Sequence, residues 1–312
     1  MGYLNRMKQL SDLIEFEAFD NLELMAKQIV EGFLIGLHRS PYHGFSVEFA
    51  EHRLYNKGES TKHVDWKLYA RSDKLFVKQF EEETNLRAHL VLDTSSSMLF
   101  PYHDKKISKM AFSVLCTAAL IHLLRNQRDA VGLSTFSDEI ELLTPVKLSA
   151  THAQRLYAEL LKIYNKEELD LNKNTRFSKN LHHLAEAIHK RSLIVIFSDL
   201  MGDDTPQEIL EALQHLRYNK HEVVLFAVTD HEFEREFNFA NRPSKFIDME
   251  TGESLKLNPS EVREAFCQKQ KAFYSEMKLL CNQFAIDFVE TDIRKPFKDV
   301  LQAYLIKRKR IG

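Results

Sequence analysis

The sequence predicts an α/β protein built on a doubly wound, mainly parallel sheet, with a small β-rich attachment at its amino terminus. Three observations carry this expectation. From Arg87 onward, short apolar runs alternate with amphipathic helical stretches, the signature of βαβ units. Two of the runs, SLIVIFSD (192–199) and EVVLFAVTD (222–230), are apolar almost without alternation, as strands covered on both faces are. Residues 1–86 have another texture, with the alternating segments SVEFAEHRLY and KLFVKQFEEE suited to half-buried strands. The division expected is therefore 1–86 and 87–312.

In order along the chain, an amphipathic helix is expected over Leu22 to Leu34, and the first strand of the α/β half is AHLVLD (88–93). A helix from Lys106 to Gln127 follows. Its apolar positions Ile107, Met110, Ala111, Val114, Leu115, Ala118, Ile121 and Leu124 recur at spacings of three and four. AVGLSTF (130–136) is the second strand, and helices over 156–164 and 181–189 lead to the strand at 192–199. Pro206 and Pro259 sit where a helix loses nothing by lacking an N–H, at the openings of 206–219 and 260–284. Between the strand at 222–230 and that second helix, AsnArgPro (241–243) and ThrGly (251–252) are turn signals, so a hairpin-like β insertion is expected at 231–258. IDFVETD (286–292) is the last strand. The final helix follows Pro296 and ends in LysArgLysArg (307–310), cations that suit the negative end of a helix dipole.

Composition narrows the function. Apolar residues make up 44% and charged residues 28% of 312, the mix of an ordinary globular chain and not of a disordered one. A net charge of −2 supplies no global field for nucleic acid or an anionic membrane. The longest nearly apolar stretch, Met110 to Leu124, is interrupted by Ser113, Thr117 and His122 and falls short of the roughly 20 residues a bilayer needs. The amino-terminal residues lack the apolar core of a signal peptide. Cys116, Cys267 and Cys281 are odd in number, far apart and without a CxxC, so they read as buried thiols in a reducing compartment. A cytoplasmic protein is expected.

The chemistry concentrates at the end of the first α/β strand, in Asp93-Thr94-Ser95-Ser96-Ser97, a DxSxS pattern. Open α/β sheets bind ligands at the carboxyl ends of their strands. One carboxylate and two hydroxyls are hard oxygen donors, suited to Mg²⁺ or Mn²⁺ and unsuited to Zn²⁺. Two further oxygens stand where this fold would deliver them: Asp199 closes the strand 192–199, and Thr175 lies in the loop 172–175 just before the helix 178–189. The competing reading of Asp93 alone is a helix cap, since Asp at a strand end commonly serves as one.

From residue 87 the chain resembles a von Willebrand factor A-type domain, a Rossmann-type fold whose metal-ion-dependent adhesion site has this DxSxS…Thr…Asp layout. Over its whole length it resembles the bacterial "domain of unknown function 58" family. The segments that carry this are HisArgSerProTyrHisGlyPheSer (38–46), GluPheAlaGluHisArgLeuTyr (48–55), AspTrpLys (65–67), AlaArg (70–71), LysGlnPheGluGluGlu (78–83), LeuAspThrSerSerSerMet (92–98), PheSerAspLeu (197–200) and AspMetGluThrGly (248–252). The resemblance implies hydroxyl ligands Ser95, Ser97 and Thr175, carboxylates Asp93 and Asp199, and an open coordination position that a partner's acidic side chain fills. It also implies a MoxR-type AAA+ ATPase as partner, in protein or complex maturation. The chain departs from the family pattern twice. Lys173-Asn174 stand where a glycine pair precedes the Thr, and Gly58-Glu59 where the signature has Gly-Asp.

The expectation is thus a metal-dependent protein-binding module and not an enzyme, with no catalytic residues and no organic cofactor. The alternative is a hydrolase using the same Asp/Ser site. No GxSxG elbow is present. An aspartyl-phosphate phosphatase would want Asp where Ser95 stands. The fourteen His show no HExxH or Cys/His spacing. Asp65-Trp66-Lys67, with Arg53, Arg71 and Glu81-Glu82-Glu83, is either a second contact surface or the anchor of the amino-terminal part.

Overall fold

Six strands form one sheet in the order β10-β7-β6-β3-β4-β5, parallel throughout except for β5 at the edge. The strands are β3 (Arg87–Asp93), β4 (Ala130–Phe136), β5 (Ile140–Leu143), β6 (Leu193–Ser198), β7 (Glu222–Thr229) and β10 (Asp287–Asp292). This is a computed structural model, and it describes residues 22–38, 52–54, 71, 76–78, 86–101, 107–165 and 175–311. The chain divides into two compact units, 1–31 with 86–311, and 32–85 with the terminal residue. In the smaller unit, β1 (His52–Leu54) and β2 (Phe76–Lys78) pair antiparallel. The Asp65-Trp66-Lys67 segment, Gly58-Glu59, Glu81-Glu82-Glu83 and Lys173-Asn174 lie outside the described residues; Arg71 is exposed.

The larger unit has the expected α/β architecture, a mostly parallel sheet with helices on both faces. On one face, α4 (Phe177–Ala187), α5 (Pro206–Tyr218) and α6 (Pro259–Gln283) pack Leu181, Leu184, Leu213, Leu216, Tyr274 and Met277 against Val91, Ile194, Ile196 and Leu225. Burying each such side chain stabilises the fold by roughly 1.5–3 kcal/mol. Against the other face lies α2 (Lys109–Asn126), which is buried almost all round, as a helix without a polar face must be. Its neighbours are α3 (Ala150–Tyr164) and α7 (Lys298–Ile311), with Phe112 of α2 stacked on Phe297 at 4.9 Å. At the far end of α2, Arg125 donates to Glu23 of α1 (Leu22–His38) at 2.6 Å.

Three local readings are corrected. β5 was not expected: its four residues, IELL, are alternately half-buried and exposed, too short a pattern to stand out. α3 begins at Ala150, six residues before the apolar periodicity, because the Ser149 side chain caps it by accepting from the His152 amide. Of the three thiols, Cys116 and Cys281 are buried but Cys267 is partly exposed.

Strand order fixes where a site can form. From β3 the chain moves outward to β4 and β5, then returns to lay β6 on the other side of β3. The carboxyl ends of β3 and β6 therefore flank the topological switch point of the sheet. The insertion is a short turn of π-helix (His231–Arg235) followed by the antiparallel hairpin β8 (Ser244–Ile247) and β9 (Ser254–Leu257). An aromatic cluster underlies it: Phe237 packs on Phe246, Phe266 and Phe239 at 5.5, 4.6 and 5.0 Å, and Phe239 on Phe233 at 4.9 Å.

Candidate functional site

Asp93 closes β3 and is fully buried. Its carboxylate accepts from the Ser95 amide at 3.0 Å and from the Ser198 hydroxyl, at the end of β6, at 2.6 Å. The latter bond crosses the switch point. Both donors are neutral, so burial and the nearby charge of Asp199 push the Asp93 carboxyl up to about 7, although the two serines pull it back. After Asp93 the chain enters a 3₁₀ turn at Ser96–Leu99 that brings Ser95 Oγ and Ser97 Oγ to 3.1 Å from one another. Ser95 is buried and Ser97 half-buried.

Asp199 follows β6 and is aimed by a tight turn. Its Oδ1 accepts from the Met201 amide at 2.9 Å, and Leu200 stands at φ 56°, a left-handed conformation that costs an L-residue about 1–2 kcal/mol. Its Oδ2 accepts from Lys109 Nζ at 2.7 Å. Lys109 opens α2 with its side chain wholly buried, at a helix end that disfavours a cation. Burial alone would depress its pKa, but Asp199 and Glu234 more than reverse this and raise it. Glu234, from the π turn, makes a short ion pair with the same ammonium and accepts from the Asp230 amide at 2.8 Å.

Thr175 sits at the mouth of α4. Its loop is pinned where the Arg176 amide donates to Ser137 O at 3.2 Å and where Asp204 accepts from the Ser178 amide at 3.0 Å. Thr175 meets Glu250, from the turn of the β8–β9 hairpin. Its amide donates to Oε2 at 3.1 Å and its hydroxyl to Oε1 at 3.2 Å. Burial pushes the Glu250 carboxyl up to about 7, with Asp199 adding to this and hydrogen bonding from Ser97 and Thr175 opposing it.

Four of the five residues singled out in the sequence thus join in two hydrogen-bonded groups, Asp93 with Ser95 and Ser97, and Thr175 with Glu250; hydrogen bonding from Ser97 to Glu250 links the two. Asp199 shares no direct hydrogen bond with the other four and bears on Asp93 and Glu250 through its charge. Sequence reasoning missed Lys109, Ser198, Glu234 and Glu250. Ser198 and Glu250 lie inside PheSerAspLeu and AspMetGluThrGly, segments that carry the resemblance but had been given no role. Lys109 and Glu234 are 125 residues apart, and nothing local marks them.

Among the described residues, no three His, Cys, Asp or Glu side chains are grouped to hold a metal on their own. A cation here would depend on hydroxyls. The donor set fits a hard dication on two counts. Asp93, Asp199, Glu234 and Glu250 are four carboxylates against one ammonium, Lys109, and isolated charges are costly to bury. The hydroxyl pair at 3.1 Å and the Thr175–Glu250 oxygen pair at 3.2 Å are also close to the roughly 2.9 Å between adjacent ligands of an octahedral Mg²⁺ at 2.0–2.1 Å.

Residues 51–275 match the family described as Protein of unknown function DUF58. The chain belongs to that family. DUF58 relatives include uncharacterized proteins of Mycobacterium tuberculosis and Mycobacterium bovis, 25% identical over 213 residues, which is 68% of this chain and 64% of each of theirs. The match thus spans a little under two thirds of those relatives. Among solved structures, the chain is similar to BatB from Bacteroides thetaiotaomicron (TM-score 0.44, 14% identity, 72% of this chain and 99% of that one). It is also similar to an aerotolerance-related membrane protein from Bacteroides fragilis (TM-score 0.43, 15% identity, 71% and 99%) and to the SpRpn10 VWA domain (TM-score 0.37, 12% identity, 70% and 95%). The observed fold of this DUF58 protein is α/β, a mostly parallel sheet with helices on both faces.

The expectation of a cytoplasmic protein is overturned here. One of the similar solved structures, from Bacteroides fragilis, is described as an aerotolerance-related membrane protein, against that expectation. Thiol usage alone does not fix a compartment, because a chain can be held at a membrane without a span of its own. No described helix is long and apolar enough to cross a membrane.

Proposed function

We propose that this DUF58 protein is a divalent-metal-dependent protein-binding module. In this reading Asp93, Ser95, Ser97, Thr175 and Asp199 hold Mg²⁺ or Mn²⁺, and the module is an adaptor for a MoxR-type AAA+ ATPase in protein or complex maturation. The observation that carries the reading is Asp93, a buried carboxylate at the switch point whose hydrogen bonds come from a hydroxyl and an amide. A bound dication would supply the missing positive charge and a coordination position for a partner's Asp or Glu. The chain's own part is preorganisation. Ser198 fixes Asp93 from the neighbouring strand, Lys109 fixes Asp199 from behind, and the 3₁₀ turn sets Ser95 beside Ser97. Binding rather than turnover is favoured because, among the described residues, neither Ser95 nor Ser97 is hydrogen-bonded to a histidine that could act as its base.

The test is a pull-down from host lysate with tagged wild type and Asp93→Ala, each in Mg²⁺ and in EDTA, with the retained proteins identified by mass spectrometry. An AAA+ ATPase retained only by wild type in Mg²⁺ is the expected outcome. Retention indifferent to both metal and Asp93 would place binding on another surface.

A further inference from the structure

The hairpin β8–β9 has no evident task in a parallel-sheet fold, yet its turn reaches the site. Asp248 organises that turn by accepting from the Glu250 and Thr251 amides at 2.7 and 3.0 Å, and Gly252 takes φ 73° to complete it. Glu250 is left pointing at Thr175, with one carboxylate oxygen on the amide and the other on the hydroxyl. We propose that Glu250 is an intrinsic ligand of the site: the carboxylate that joins the Ser95, Ser97 and Thr175 hydroxyls around the cation comes first from the chain's own hairpin.

The inference rests on the metal-binding reading and deepens it. Glu250 Oε1 accepts from Thr175 Oγ1 at 3.2 Å, close to the roughly 2.9 Å between two adjacent ligands on one octahedral cation, as for the Ser95 and Ser97 hydroxyls at 3.1 Å. It has the chemistry attributed to the partner, an acidic side chain presented to the open position. A two-stranded hairpin of four-residue strands is marginal by itself. Here it rests on the Phe237–Phe239–Phe246 cluster through Phe246 of β8. Partner binding becomes an exchange of one carboxylate for another, and a tethered competitor at millimolar effective concentration weakens the partner's apparent affinity by the fraction of time the tip is down. Selectivity follows, since only a partner that also contacts the hairpin or its surroundings displaces Glu250.

Mn²⁺ is the probe. Full-length protein labelled with ¹³C at the glutamate side-chain carboxyl is loaded with Mn²⁺ and read by pulsed electron–nuclear double resonance. The five assigned ligands are Asp, Ser and Thr, so a strong ¹³C coupling can come only from a glutamate, and its loss in Glu250→Gln assigns it. In parallel, ¹³C-acetate is added to unlabelled wild type and to Glu250→Gln. Acetate should couple to Mn²⁺ in the variant at concentrations about tenfold below those needed in wild type, consistent with the size of ligand-shell effects. Mn²⁺ bound to wild type without glutamate coupling overturns the inference and leaves the metal reading standing. Absence of Mn²⁺ binding in both proteins overturns the metal reading and this inference with it. Absence of glutamate coupling in the labelled wild type overturns the inference even if Glu250→Gln folds poorly.

Discussion

Two acidic clusters lie along the same carboxyl edge of the sheet, and they are built in opposite ways. At the ends of β7 and β10, Asp230 is buried, and both of its oxygens are taken by Arg294, at 2.8 and 2.9 Å. Arg294 also makes a short pair with Glu232 and lies over the Phe233 ring at 5.1 Å. This is a closed clamp, in which one guanidinium holds both oxygens of the buried carboxylate. At the switch point, Lys109 serves Asp199 and Glu234 together, and Asp93 is left with a hydroxyl and an amide. The difference teaches that acidic residues at strand ends are not of one kind. Those that meet a guanidinium hold the fold together, and those that meet only neutral donors, Asp93 and Glu250, are where an added cation would stabilise it.

Breaking each cluster should give unequal results. The largest expected effect is from Lys109→Met, which strips the cation from a wholly buried pair and leaves Asp199 and Glu234 uncompensated. A loss of about 3–5 kcal/mol in urea unfolding without metal is expected, and Mg²⁺ should restore part of it. A loss under about 1 kcal/mol would mean the network is solvated. Arg294→Gln should cost less, about 1–3 kcal/mol, because the Arg294 side chain is 31% exposed and water shares the load. That loss should be the same in Mg²⁺ and in EDTA; a metal-dependent difference would merge the two clusters into one site.

The smallest effect sharpens the comparison by separating the site from the body of the sheet. His89, on β3, is buried beside Ser134, with Nε2 2.6 Å from Oγ. Gly132 on β4 leaves so little room that a Cβ there would stand 2.7 Å from the His89 ring. Burial, and then the charge of His221, lowers its pKa to about 4. A base with a lowered folded-state pKa stabilises the fold fully above its unfolded value of 6.5 and loses that contribution as pH falls toward 4. Between pH 7.5 and 5.5 the loss is about 1.4 kcal/mol, read as the difference between the unfolding profiles of wild type and His89→Gln. Superimposable profiles would contradict it.

Much of this was legible in the sequence. The parallel strands stood out because burial on both faces leaves unbroken apolar runs such as LIVIFS, and Asp93 and Asp199 stood out because they terminate such runs. β5 did not, being an edge strand of four residues. Within the site, DxSxS is local and could be read. The Lys109–Glu234 and Thr175–Glu250 pairs join residues 125 and 75 positions apart, and no periodicity reports a partnership made by strand order and a returning hairpin. Glu250 in particular looks in sequence like one more acidic turn residue, in AspMetGluThrGly.

The central claim, that the switch-point site is completed by a cation while the β7–β10 clamp is complete already, is tested most directly by unfolding Asp93→Asn and Asp230→Asn beside wild type, in EDTA and in saturating Mg²⁺. In EDTA, Asp93→Asn should be more stable than wild type, by about 1–4 kcal/mol, because a buried charge with neutral partners has been removed. Wild type should then gain about 3 kcal/mol from Mg²⁺ at a hundredfold excess over its dissociation constant, and Asp93→Asn nothing. Asp230→Asn should be destabilised in both buffers and respond to Mg²⁺ as wild type does. Wild type and Asp93→Asn responding equally to Mg²⁺, or neither responding, would contradict the account.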